Sequence, residues 1–175
     1  MTKKTLAILL VLAFVFIAGC DPQPCPQTKS CDDVSPLAGS WKTTEAKNPW
    51  MLKFDDSGQL IEFKHSDGQS ITKTDIDNGQ YVSKDKNITC ELGPCEANFD
   101  SATKEVSVNI IINKYTAKIG GTEFNFKMTD IFAGKLASDG KSLEMTQVSA
   151  KSIINDGKAN KSDSATKTIK FVKIP

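Results

Sequence analysis

The feature that most constrains this chain is a period-two alternation that recurs from residue 39 to the C-terminus. Val106, Val108, Ile110 and Ile112 share one parity, separated by Ser107, Asn109 and Ile111. Phe124, Phe126, Met128 and Phe132 form a second stripe, with Glu123, Asn125, Lys127 and Thr129 between them. Trp50, Leu52 and Phe54 make a third, and shorter ones fall at Ile61 and Phe63, Leu143 and Met145, and Ile169 and Phe171. Side chains on a strand alternate between two faces, so each stripe predicts a strand with one face buried. Turn-forming clusters punctuate the stripes: Asp56-Ser57-Gly58, Ser66-Asp67-Gly68, Asp77-Asn78-Gly79, Gly120-Gly121 and Ser138-Asp139-Gly140. The apolar spacing never holds i, i+3, i+4 over three turns, so no helix is expected. Residues 151–166 are polar and read as a loop. The chain is therefore expected to be all-β, with eight or nine short antiparallel strands in an up-and-down barrel or a sandwich.

The first 37 residues have a different character. Lys3 and Lys4 precede an unbroken apolar run of thirteen residues, Leu6 to Ala18. A membrane-spanning helix needs roughly 20 apolar residues, so the run reads as the core of a signal peptide. It ends in Ile17-Ala18-Gly19-Cys20. Aliphatic, small, small, Cys resembles the lipobox of bacterial lipoproteins. That resemblance implies a cleaved signal peptide over 1–19 and a lipid on Cys20, hence a membrane partner and a lipid-anchored place in the cell envelope, facing the periplasm or the exterior. Asp21 directly after the lipidated Cys resembles an inner-membrane retention signal. Residues 20–37 are Pro-rich (Asp21-Pro22-Gln23-Pro24-Cys25-Pro26) and read as a stiff tether. The folded domain is expected over 38–175.

Charge excludes several function classes. The 22 basic residues and 21 acidic ones nearly balance, which leaves no electrostatic footprint for nucleic acid. Every basic residue is Lys; without Arg there is no planar fork for phosphate or carboxylate. No Walker loop, Gly-x-Ser-x-Gly elbow, His-Glu-x-x-His or Gly-x-Gly-x-x-Gly occurs. His65 is the sole histidine and reads as a solvated strand-end residue. Asp75-Ile76-Asp77-Asn78-Gly79 departs from a calcium loop, with its Gly displaced by one and no Glu at position twelve, and reads as a hairpin turn. Asn87-Ile88-Thr89 has the glycosylation pattern, irrelevant to a bacterial lipoprotein. No enzyme activity, cofactor or metal is expected.

With Cys20 assigned to lipid, Cys25, Cys31, Cys90 and Cys95 form an even set in an exported chain, which favours disulfides. Cys90 and Cys95 flank Glu91-Leu92-Gly93-Pro94, a turn-forming stretch, so they are expected to bond locally, leaving Cys25 with Cys31. A zinc site would show a CxxC-type pair, and neither spacing does.

At the head of the domain stands Leu37-Ala38-Gly39-Ser40-Trp41-Lys42. Gly39-x-Trp41 at the start of the first strand resembles the signature of the lipocalins and related calycin barrels. The resemblance covers 37–175 in outline and implies an up-and-down barrel of about eight strands. In that family the Trp closes the barrel floor and a basic residue of the last strand packs across its ring. Lys170 and Lys173 are the positions here. It also implies binding of a small apolar ligand, with Phe54, Phe63, Val108, Ile110, Phe124 and Phe126 as candidate lining. The competing expectation is a filled barrel that engages an envelope protein through its loops, for instance as an inhibitor. The inward residues are mostly bulky, which favours a filled core.

Overall fold

The computed structural model describes residues 34–45, 49–64, 68–155 and 158–175. They build one ten-stranded sheet. In chain order the strands are β1 (Gly39–Thr43), β2 (Met51–Phe54), β3 (Leu60–Lys64) and β4 (Ser70–Thr72), then helix α1 (Lys73–Asn78) and β5 (Gln80–Val82). Five longer strands follow: β6 (Ile88–Phe99), β7 (Glu105–Ile119), β8 (Thr122–Leu136), β9 (Ser142–Asn155) and β10 (Lys158–Ile174). The spatial order is β4-β3-β2-β1-β10-β9-β8-β7-β6-β5, and all pairings are antiparallel. The first strand thus pairs with the last, Trp41 opposite Lys173 and Thr43 opposite Phe171. Closing the meander in this way leaves only β4 and β5 as edges, where unpaired backbone groups would otherwise invite other strands.

Helix α1 packs between those two edges, touching β3, β4, β5 and β6. Tyr81 donates its hydroxyl to Gln69 across the gap at 2.7 Å, and Leu92 N–H bonds the carbonyl of Gly79 at the end of α1. The architecture is a nearly closed antiparallel barrel.

The inward face of the barrel body is filled. Trp41, Phe54, Phe63, Phe132, Leu143 and Phe171 are fully buried or nearly so. Phe132 meets Trp50 edge-on at 5.2 Å between ring centroids and Phe171 at 5.7 Å, both at 77°. Edge-to-face aromatic packing of this kind adds to the area buried. Gly134 belongs to the same face. A Cβ there would sit 1.9 Å from the Glu144 carbonyl oxygen, so only glycine permits β8 and β9 to approach as they do.

The sequence expectations need four corrections. Ten strands form rather than about eight. Asp75–Gly79 is the body and cap of α1, not a hairpin turn: the Asp75 carboxylate accepts from the Thr72 N–H at 2.9 Å and its hydroxyl at 2.6 Å, and Gly79 closes the helix in the left-handed region at φ 66°. Residues 151–166, expected as a loop, belong to β9 and β10 where described. Most described side chains on both faces of that stretch are exposed, so no alternation marked it. Cys90 and Cys95, finally, are not bonded to each other. Both lie within β6, Cys90 opposite Tyr115 and Cys95 opposite Ile110, at a separation of roughly 12–16 Å for a strand with a bulge, while a disulfide needs about 4.4–6.8 Å between α-carbons. The Gly93-Pro94 pair produces a bulge rather than a turn, a position where Pro is tolerated because no ladder donor is required.

Candidate functional site

The short strands and the long ones end at different heights. β10 pairs with β1 only over Phe171–Ile174, while its run from Lys158 to Lys170 continues beyond, roughly 40 Å along the strand at ~3.3 Å per residue. β7, β8 and β9 overshoot with it. Their inward stripes therefore leave the filled body and continue along an open wall, the mouth of the barrel.

The wall is built by register. A bulge at Asn113-Lys114 separates the pairs Ile112–Met128 and Tyr115–Phe126. It shifts the inward parity of β7 by one, so the stripe Val106, Val108, Ile110, Ile112 continues as Tyr115, Ala117, Ile119. Phe126 in turn pairs with Ile153 on β9. Tyr115 and Phe126 lie 6.3 Å apart between ring centroids. Phe124 is 43% exposed and Ile153 37%. The Lys151 ammonium sits 3.8 Å from the centroid of Phe126, a close cation–π contact.

Where wall meets body, the inward face turns polar. Asp130 on β8 pairs with Ser149 on β9, and Phe132 with Gln147. Asp130 is 5% exposed and Gln147 3%. Gln147 Nε2 donates to Asp130 Oδ1 at 2.8 Å and to Ser149 Oγ at 2.9 Å. The Ser149 hydroxyl donates to the same Asp130 oxygen. Gln147 Oε1 is buried and has no hydrogen-bond partner among the described residues. Beside this floor, on β10, Lys167 is held by both carboxylate oxygens of Glu45 at 3.2 and 3.1 Å.

The six candidate lining residues divide between these regions. Phe54, Phe63, Val108 and Ile110 are buried in the filled body, where they pack as core. Phe124 and Phe126 lie on the open wall. Sequence reasoning passed over Tyr115, Gln147, Ser149 and Ile153. The signals for the floor were polar residues at inward positions: Gln147 and Ser149 in the stripe that begins Leu143, Met145, and Asp130 between Met128 and Phe132.

The closed end carries the signature residues. Trp41 is buried and donates its indole N–H to the Leu37 carbonyl at 2.7 Å. Lys173 Nζ lies 5.4 Å from the Trp41 ring and 3.3 Å from the Pro36 carbonyl. Lys170 has the opposite parity and faces outward. Gly39 has φ +108°, a backbone conformation that favours glycine, and a Cβ there would crowd Lys173 Cε at 3.2 Å.

A cleft of about 500 Å³ also lies on the outer face of β6–β8, between Asn98, Ser107, Ala133 and Lys135. Among the described residues no group of three or more His, Cys, Asp or Glu is placed to hold a metal, and no helix is long and apolar enough to cross a membrane. Burial pushes the Cys95 thiol above its ordinary range, which lowers its thiolate fraction and its nucleophilicity. Cys20, Asp21, Cys25, Cys31 and His65 lie outside the described residues.

Comparison with protein-family models, curated proteins and solved structures gives no match for this chain.

Proposed function

We propose that this chain is a lipid-anchored, lipocalin-like binding protein of the bacterial envelope, which takes a small, largely apolar ligand at the mouth of its barrel rather than inside the body. One observation carries the reading: a buried polar floor lies under a half-exposed apolar wall of Tyr115, Phe124, Phe126 and Ile153. Small-molecule sites have this composition, mostly apolar with a few placed polar groups, and barrel mouths are among their usual positions. The lipocalin-like part is supported by the pairing of first and last strands and by Lys173 across Trp41. The anchor is supported by Ile17-Ala18-Gly19-Cys20. The chain enters the barrel at Val34–Leu37, at the end opposite the mouth.

A protein partner is the second reading, favoured by the filled body and by a mouth walled on one side. Both are tested by expressing Cys20→Ala in the native host. The variant should leave the membrane fraction, and native mass spectrometry of the released chain should find a bound small molecule that is lost on adding Phe126→Ala. Retention through a carbonate wash would refute the anchor. A co-purifying protein with no small molecule would replace the ligand reading with the interaction reading.

A further inference from the structure

The polar floor has a definite chemical deficit. Asp130 Oδ1 already receives two donors, the Gln147 amide and the Ser149 hydroxyl, while Oδ2 receives none from the described residues. Gln147 spends its NH₂ on Asp130 and Ser149, which leaves Oε1 buried without a donor. Turning the amide over would set its oxygen against the Asp130 oxygen, so the carboxylate fixes the orientation. Both unmet groups are therefore acceptors. The Gln147 oxygen is fully buried, which is unfavourable without a donor, while Asp130 Oδ2 keeps an edge open toward the mouth.

Charge balance points the same way. The ion pairs among the described residues are Lys73–Asp77, Lys135–Glu105 and Lys167–Glu45; none includes Asp130. Among the described residues, the lysines that register places beside the floor on the inner face are engaged elsewhere, Lys151 over Phe126 and Lys167 with Glu45. A water or a hydroxyl would satisfy hydrogen bonding and leave the carboxylate without a countercharge. A carboxylate or phosphate head would bring more acceptors and the wrong sign. Above the floor, Met128, Tyr115 and Phe126 offer apolar surface, and the resident Lys151 ammonium demonstrates that the Phe126 face accepts a cation.

Resting on the mouth as the binding site, we infer that the ligand is a protonated amine on an apolar body, its ammonium donating to Asp130 and Gln147 and its body lying along Met128, Tyr115 and Phe126.

The test uses the full chain in nanodiscs of zwitterionic lipid, with empty nanodiscs as the blank. Three probes share one tail and differ in head: 4-phenylbutylamine, 4-phenylbutanol and 4-phenylbutyrate. Calorimetric titration should rank amine over alcohol over carboxylate, with amine over alcohol by about tenfold. Asp130→Asn keeps an oxygen for Gln147 and Ser149 and removes the charge. It should bring the amine down to the alcohol and leave the alcohol unchanged. If that variant fails to fold by circular dichroism, Gln147→Met serves in its place and should weaken the amine severalfold more than the alcohol. Binding of the alcohol with no preference for the amine would overturn the inference and leave the mouth reading intact. Binding of none of the three would overturn both.

Discussion

Phe132 and Phe124 lie on the same strand and the same face, yet one is fully buried and the other 43% exposed. The difference lies across the barrel. Phe132 faces Trp50 and Phe171, at 5.2 and 5.7 Å. Phe124 lies beyond the last pair of β8 with β9, Phe126 with Ile153, while β1 ends at Thr43 and β2 begins at Met51. Alternation along a strand settles which side chains point inward. Whether inward means buried depends on the length of strands far away in sequence.

That comparison can be broken by truncating the two rings. Phe132→Ala should cost about 3–5 kcal/mol, as large aromatic truncations in close-packed cores do, and Trp41→Ala should fall in the same range because it also leaves the Leu37 carbonyl without its donor. Both are read from the midpoint of urea unfolding at unchanged slope. Phe124→Ala should stay within about 0.5 kcal/mol of wild type, the range of ordinary surface changes. A loss at Phe124 as large as that at Phe132 would mean that the wall is covered in solution, and the contrast between body and mouth would fail.

The same contrast explains what the sequence disclosed. The stripes of Val106–Ile112 and Phe124–Phe132 were legible because their inward positions are apolar, with Asp130 the one exception in the second. Gly39-x-Trp41 pointed to a basic residue of the last strand, Lys170 or Lys173, and the register of β1 with β10 selects Lys173. The extensions of β9 and β10 were not, since strands solvated on both faces lose the alternation that identifies them. Helix α1 is too short for a helical period, although Thr72-x-x-Asp75 followed by Gly79 carries both of its caps. The Cys90–Cys95 pairing misled because Gly93-Pro94 suits a turn and a bulge equally. The polar floor needed register: Asp130 and Gln147 are distant in sequence, and only the pairing of β8 with β9 makes them neighbours.

The smallest effect separates the turns at the two ends. At the closed end the β2–β3 turn is braced by Asp55, whose carboxylate accepts from the Ser57 hydroxyl at 2.6 Å, the Ser57 N–H at 2.9 Å and the Gln59 N–H at 3.0 Å. At the open end the β7–β8 turn is made by Gly120 and Gly121, both at positive φ, with no carboxylate between the strands. The Ser57 hydroxyl first, then the two backbone N–H groups, hold the Asp55 carboxyl below its ordinary value. A depressed carboxyl favours the folded state above its unfolded pKa, near ~4, and that contribution is lost as pH falls through the lower folded value. Asp55→Asn should therefore destabilise the domain by less than about 1 kcal/mol between pH ~5 and ~8, since the turn is largely solvated. The gap from wild type should close below pH ~4 as the wild-type carboxyl is protonated. Urea midpoints measured across that range decide it: a gap that widens on acidification, or one that stays constant from pH ~8 to below ~3, would show that the charge of Asp55 does not brace the closed-end turn.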